Sequence, residues 1–261
     1  MDRVIDNRGD GCLLSRRELL GASVALGTKV PSSKNSTKPA DGSAMELLPL
    51  GKTGLKVARL TMGGSFTSYG PRILEFTYRA GIRCFDSGDF YAGYKAEALL
   101  GEWVNKSRRR DDVIIINKAR TTDLKKFVIR LDEALDKMKF ETIDIFLIHG
   151  LADPNVVLDS DKQWRKLKDR LVREKKVRFM GFSTHAPDID ARIACLNNAV
   201  KSGWVDVIML ACDIGLIRQN TGLNKALDAC AKADIGLIGI KAMRGLGGAE
   251  GQPDKTREAF K

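Results

Sequence analysis

Histidine is scarce in this chain: His149 and His185 are the two in 261 residues, and neither belongs to an H-x-H or H-E-x-x-H pattern. That scarcity weighs against a barrel metallohydrolase, whose zinc requires several nitrogen ligands at close spacing. The five cysteines (Cys12, Cys84, Cys195, Cys212 and Cys230) are odd in number and widely spaced, with no C-x-x-C. Neither a zinc site nor a disulfide framework is indicated, and the core cysteines read as small buried hydrophobes. No apolar run is long enough to span a bilayer as a helix. A basic stripe is missing too. Lys+Arg 44 against Asp+Glu 33 leaves a formal charge of +11, but acids are interspersed along the putative helices. Clusters such as Arg108-Arg109-Arg110 and Arg173-Glu174-Lys175-Lys176 read as solvated faces, so no nucleic-acid partner is expected.

What is present is ample core material, 43% hydrophobic residues, enough for one domain on the scale of a barrel of roughly 250 residues. One domain, residues 45–261, is expected behind an N-terminal tail, residues 1–44. In the tail, Ser15-Arg16-Arg17-Glu18-Leu19-Leu20 precedes a short apolar run from Gly21 to Gly27 and resembles a twin-arginine export signal, implying a periplasmic destination. The alternatives are an ordinary basic-apolar leader, or a start at Met45 and a cytoplasmic protein. Thr28 to Ala44, rich in Ser, Lys, Pro and Gly, reads as a disordered linker.

From Met45 onward a strand–helix pattern repeats about every 30 residues, the size of a βαβ module. Two short apolar segments flank Gly51-Lys-Thr-Gly54, a hairpin signal. Arg59-Leu-Thr-Met-Gly-Gly-Ser-Phe66 follows as a first strand running into a glycine-rich loop. Pro71 opens a helix that Gly81 closes. The later strands are Ile82 to Asp86, Val113 to Lys118, Ile143 to His149, Arg178 to Ser183, Val205 to Leu210 and Ile235 to Lys241. Helices with one apolar face separate them; the clearest carries Leu124, Phe127, Val128, Leu131, Leu135 and Met138. Strict alternation implies a parallel sheet.

The polar residues choose between a closed and an open sheet. Asp86, Lys118 and His149 each end a successive buried strand, and a barrel brings such positions to one rim. Taken singly, Asp86 reads as a cap or turn residue, and Tyr91, five residues on, as a packing aromatic. Taken together, the four resemble the catalytic tetrad of the aldo-keto reductases. Gly54 to Gly64 is similar to that family's opening segment. Phe85-Asp-Ser-Gly-Asp-Phe-Tyr91 with Glu97 and Leu100-Gly101 resembles its tyrosine motif, Asn117-Lys118 its lysine strand, Leu147-Ile-His-Gly150 its histidine strand, and Gly181-Phe-Ser-Thr-His185 its glycine-serine segment.

The resemblance implies a TIM (β/α)8-type barrel with an N-terminal hairpin. The expected activity is reduction of an aldehyde or ketone by NADP(H), with NAD(H) not excluded, and the partner a small-molecule carbonyl compound. Hydride addition makes an alkoxide, so a proton donor is needed at the oxygen, and a phenol with a pKa of about 10 serves when its anion is stabilised. Tyr91 is the expected donor, Lys118 the stabilising cation, Asp86 the group that holds Lys118, and His149 a second donor to the carbonyl. Cofactor contacts are expected at Gly64, Ser65, Asp86, Ser183, Thr184 and the Arg244-Gly245-Leu246-Gly247 loop, where glycine N–H groups and an arginine suit a pyrophosphate.

The chain departs from the family pattern in four places. Thr184 replaces an asparagine, Met209 replaces a glutamine, and Lys241-Ala-Met243 stands where a stacking aromatic is usual. The twenty residues after Lys241 are expected to be too few for an eighth strand and helix, leaving an open barrel. These departures keep a second expectation in play: a catalytically weak or inactive barrel acting as a binding or structural protein.

Overall fold

The computed structural model describes residues 45–64 and 70–242. The twin-arginine segment and linker, Ser65, and the Arg244 to Gly247 loop lie outside the described residues, as does the region expected to lack an eighth unit.

The chain begins with an antiparallel hairpin, β1 (Leu47–Pro49) against β2 (Lys56–Ala58), closed by a 3-10 turn at Gly51–Thr53. Gly51 adopts φ +50° and sits so close to the Asp234–Gly236 backbone that a Cβ would fall 2.4 Å from Asp234 O. Lys52 N–H donates to that same carbonyl at 2.7 Å. The hairpin thereby docks at the N-terminal end of the last strand.

Six strands follow: β3 (Cys84–Asp86), β4 (Ile114–Ala119), β5 (Ile143–Ile148), β6 (Val177–Thr184), β7 (Val207–Ala211) and β8 (Gly236–Ile240). They pair in sequence order and all in parallel. Consecutive neighbours without a reversal of order are the arrangement of a barrel, whereas a doubly wound sheet doubles back. Between them run α1 (Gly70–Arg79), α2 (Ala96–Ser107), α3 (Leu124–Met138), α4 (Pro154–Leu158), α5 (Gln163–Arg173), α6 (Ile189–Ser202), α7 (Ile214–Gln219) and α8 (Thr221–Lys232). Asp123, Asp153, Asp188 and Asp213 start the helices after β4, β5, β6 and β7, each side chain accepting a backbone N–H of the first turn. Such caps satisfy donors that a helix start otherwise leaves open. None of the described helices is long and apolar enough to cross a membrane.

Alternate residues of each strand serve two cores. Phe85, Ile115, Phe146, Phe182, Ile208 and Leu237 face the helices, while Cys84, Ile116, Ile145, Leu147, Val207, Met209 and Ile238 gather in the interior with Leu50, Leu55 and Val57 of the hairpin. The sheet is curled: residues of β3 and β8 share the interior cluster although four strands lie between them.

One expected strand is much reduced. Within Arg59 to Phe66, the described residues make a single parallel bridge, Met62 to Phe85, with Met62 N–H donating to Cys84 O at 2.9 Å and Asp86 N–H to Met62 O at 2.8 Å. The next residues, Gly63 and Gly64, lie outside any strand.

Candidate active site

Asp86, Lys118 and Ser183 have the interior parity of β3, β4 and β6, and all three lie at the C-terminal ends of their strands. His149 follows β5 directly, its N–H donating to Ala119 O at 2.8 Å. One rim therefore receives residues from four strands, as strand ends of a barrel must.

Lys118 is 1% exposed. Its Nζ forms an ion pair with Asp86 Oδ1, lies 4.9 Å from the centroid of the Tyr91 ring, and is 4.0 Å from Met209 Sδ. An ammonium in so dry a place needs a carboxylate, and Asp86 is that partner. Burial pushes the Asp86 carboxyl up from its ordinary range, and the Lys118 charge and hydrogen bond act against that push.

Tyr91 comes from the loop between β3 and α2, where its backbone carbonyl accepts the Ala96 N–H at 3.2 Å. Its ring meets the His149 ring edge-on at 5.7 Å and Phe90 at 5.1 Å, while Phe90 stacks on His149 at 5.1 Å with 8° between planes. A Cβ on Gly64 would lie 2.3 Å from Tyr91 Cδ2 and 2.9 Å from Asp86 O. Gly64, expected as a cofactor contact, is thus the seat of the tyrosine ring.

Burial first, then the charges of Asp86 and Asp89, hold the Tyr91 phenol well above its ordinary range. One expectation needs correction. Thr184, expected beside Ser183 as a cofactor contact, pairs with Leu210 of the helix-facing set and is wholly buried, its hydroxyl without a partner among the described residues. Adjacent strand residues point to opposite faces, so Thr184 cannot join Ser183 at the rim.

Ser183 does reach the rim, where its Oγ accepts the Gly150 N–H at 2.9 Å. His149 is pushed down to about 3, by burial first and then by Lys118, His185, Arg120 and Lys241. It is a neutral imidazole at neutral pH. A cavity of about 840 Å³ opens beside Tyr91, lined among others by Gly63, Gly64, Asp86, Met209, Ile238 and Lys241. Its walls are apolar on the β7–β8 side and cationic at Lys241. Among the described residues no cluster of three His, Cys, Asp or Glu side chains is disposed to hold a metal ion.

Sequence reasoning gave no role to Phe90, Arg120 or Lys241. Arg120 lies 5.8 Å from the Phe90 ring centroid, and both Arg120 and Lys241 act on His149. A signal existed for Arg120, which is two residues beyond Lys118 and so shares its parity.

Known proteins resemble this chain in sequence and in fold. Residues 67–261 match the aldo/keto reductase family. L-galactose dehydrogenase of Arabidopsis thaliana is 27% identical over 230 residues, covering 80% of this chain and 69% of that protein. 6-Dehydroglucose reductase of Agrobacterium fabrum is 27% identical over 158 residues, covering 54% of this chain and 52% of that protein. The matched part thus spans about half of the second relative. A solved Pseudomonas aeruginosa structure described as an aldo-keto reductase superposes with a TM-score of 0.64 at 18% identity, covering 82% of each chain; at that identity the likeness concerns the fold. With a match across three quarters of its length and a parallel barrel-type sheet to carry it, the chain belongs to the aldo/keto reductase family of NAD(P)H-dependent oxidoreductases.

Proposed function

We propose that this protein reduces the carbonyl of a small aldehyde or ketone, or runs the reverse oxidation, with NADPH as the preferred cofactor and Tyr91 as the proton donor. The observation that carries the reading is the contact of Tyr91 with both the buried Lys118–Asp86 pair and His149 at one barrel rim. When bound, the nicotinamide supplies the hydride that no side chain can. The cavity beside Tyr91 fits a flat ring against Met209 and Ile238, and Lys241 at its edge fits phosphate charge. Ser183, whose oxygen is occupied by Gly150 N–H, keeps its own O–H to offer a carboxamide.

The protein's own residues then act on the carbonyl oxygen. A phenol held above its ordinary range keeps its proton through neutral pH and yields it to a base as strong as a developing alkoxide. The Lys118 ammonium at the ring's face favours the phenolate left behind. His149 is neutral, and its buried Nδ1 has no partner among the described residues. An orphan acceptor costs less than an orphan N–H, so the ring proton belongs on Nε2, free to hydrogen-bond the same oxygen.

The two relatives named for sugars put sugar aldehydes and lactols first among substrates to try. Purified protein should change NADPH fluorescence on mixing and then oxidise NADPH with one or more members of a panel of sugar and aryl aldehydes. Binding without turnover would favour the non-catalytic barrel, and the absence of both would overturn the reading.

A further inference from the structure

We propose that Glu97 is a positioning residue for the Tyr91 and Lys118 side chains, an inference that rests on the roles assigned to them above. Glu97 stands in the first turn of α2, with no exposed surface. A carboxylate so buried is costly unless its partners are in place. Three are. Asn117 Nδ2 donates to Glu97 Oε1 at 2.9 Å, Arg130 Nη2 lies 3.1 Å from the same oxygen, and Lys137 Nζ lies 3.3 Å from Oε2.

One branch of this network reaches Lys118. Ile114 N–H donates to Arg83 O, and Ile116 O accepts from Ser87, so this set of β4 backbone groups faces β3. β3 ends at Asp86, and the Lys118 N–H, next in that set, has no strand carbonyl opposite it. Asn117 Oδ1 accepts this N–H instead, while its Nδ2 is held by Glu97. The backbone that aims the Lys118 side chain into the barrel is therefore fixed from the helix side by Glu97.

The other branch reaches Tyr91. Arg130, an α3 residue bound to Glu97 and to Glu133, places its Nε 3.7 Å from Asp89 Oδ2. Asp89 Oδ1 in turn accepts the Phe90 N–H at 2.9 Å. Phe90 stacks on His149 and borders Tyr91. Glu97 thus ties the lysine strand and the tyrosine loop to one buried charge, although it touches neither reacting group.

The test uses hydrogen–deuterium exchange of the full chain together with kinetics. In Glu97→Ala, exchange should quicken by about tenfold or more in residues 87–95 and at the Lys118 amide, with β5 and β6 unchanged, since local opening is governed by local contacts. With turnover of the wild type in hand, kcat should fall about tenfold at nearly constant KM, as small misplacements at a reacting centre cost rate. Glu97→Gln, which keeps an acceptor for Asn117, should recover part of that loss. Should Glu97→Ala fail to fold, Arg130→Gln separates the branches: faster exchange in 87–95 alone. A cooperatively melting Glu97→Ala or Arg130→Gln with wild-type exchange in 87–95 overturns the proposal. Because exchange needs no substrate, a wild type without turnover would sink the proposed reaction and leave the positioning result standing.

Discussion

Gly64 leaves no room for a side chain beside the ring of Tyr91: a Cβ there would fall 2.3 Å from ring Cδ2 and 2.9 Å from Asp86 O. Neither the ring nor the backbone carbonyl of Asp86 behind it can yield that space without moving the phenol. Gly64→Ala should therefore keep the fold but lower kcat on the order of 100-fold. Gly63→Ala, whose Cβ would meet no described atom within 4 Å but borders the same cavity, separates the two effects: crowding of the cavity would weaken NADPH binding in both variants, whereas loss of the ring's seat lowers kcat in Gly64→Ala alone. Circular dichroism and steady-state kinetics of the two variants check this; equal activity would disprove the seat.

Tyr91→Phe removes the proposed acid and nothing else, so carbonyl reduction should fall by about 100-fold or more while NADPH fluorescence still changes on mixing. Tyr69, outside the described residues, and Tyr94, 70% exposed, are the rival phenols, and Tyr94→Phe should be nearly silent. Turnover that survives the first change and is lost in the second would assign the proton to the wrong ring.

Lys118→Met should abolish activity and also destabilise the protein by about 3–5 kcal/mol, because the Asp86 carboxylate stays buried without its cation. Adding Asp86→Asn should return most of the stability and none of the activity. Urea unfolding of the single and double variants measures this. If the double variant is as unstable as the single, the pair is not the source of the loss.

His149 gives a pH dependence whose sign follows from its environment. Its folded value is about 3, below the ordinary value of 6.5. Stability is therefore full above about 6.5 and falls as pH drops toward 3, since only the unfolded chain takes up the proton in that window. His149→Gln should flatten the slope of unfolding free energy between pH 6.5 and 4. An identical slope in the variant would place the proton uptake elsewhere.

Much of this was legible from residue order. The hairpin around Gly51 and Gly54, the six parallel strands, and the helix that buries Phe127, Leu131, Leu135 and Met138 follow from apolar periodicity and turn chemistry, which act within a few residues. So did the convergence of Asp86, Lys118 and His149, because parity and position at a strand's end determine where a side chain points once the sheet is parallel. The same rule, applied one residue further, would have excluded Thr184 from the rim. The strand read at Arg59 to Phe66 makes only the Met62–Phe85 bridge among its described residues, and pairing of that kind depends on a partner strand rather than on local pattern.

The sequence by itself determined the alternation of elements, the buried cation at position 118 and the carboxylate available to it, because these are matters of local pattern and residue type. Tertiary structure alone decided the buried surroundings of the Tyr91 phenol, the close approach of Gly64 to its ring, and the contacts that join Glu97 through Asn117 to the Lys118 backbone and through Arg130 to Asp89. Those depend on how close groups from distant segments come and how much water is left between them. Charge and desolvation act through space, and the chain order of Asp89, Tyr91, Glu97 and Arg130 does not record those distances.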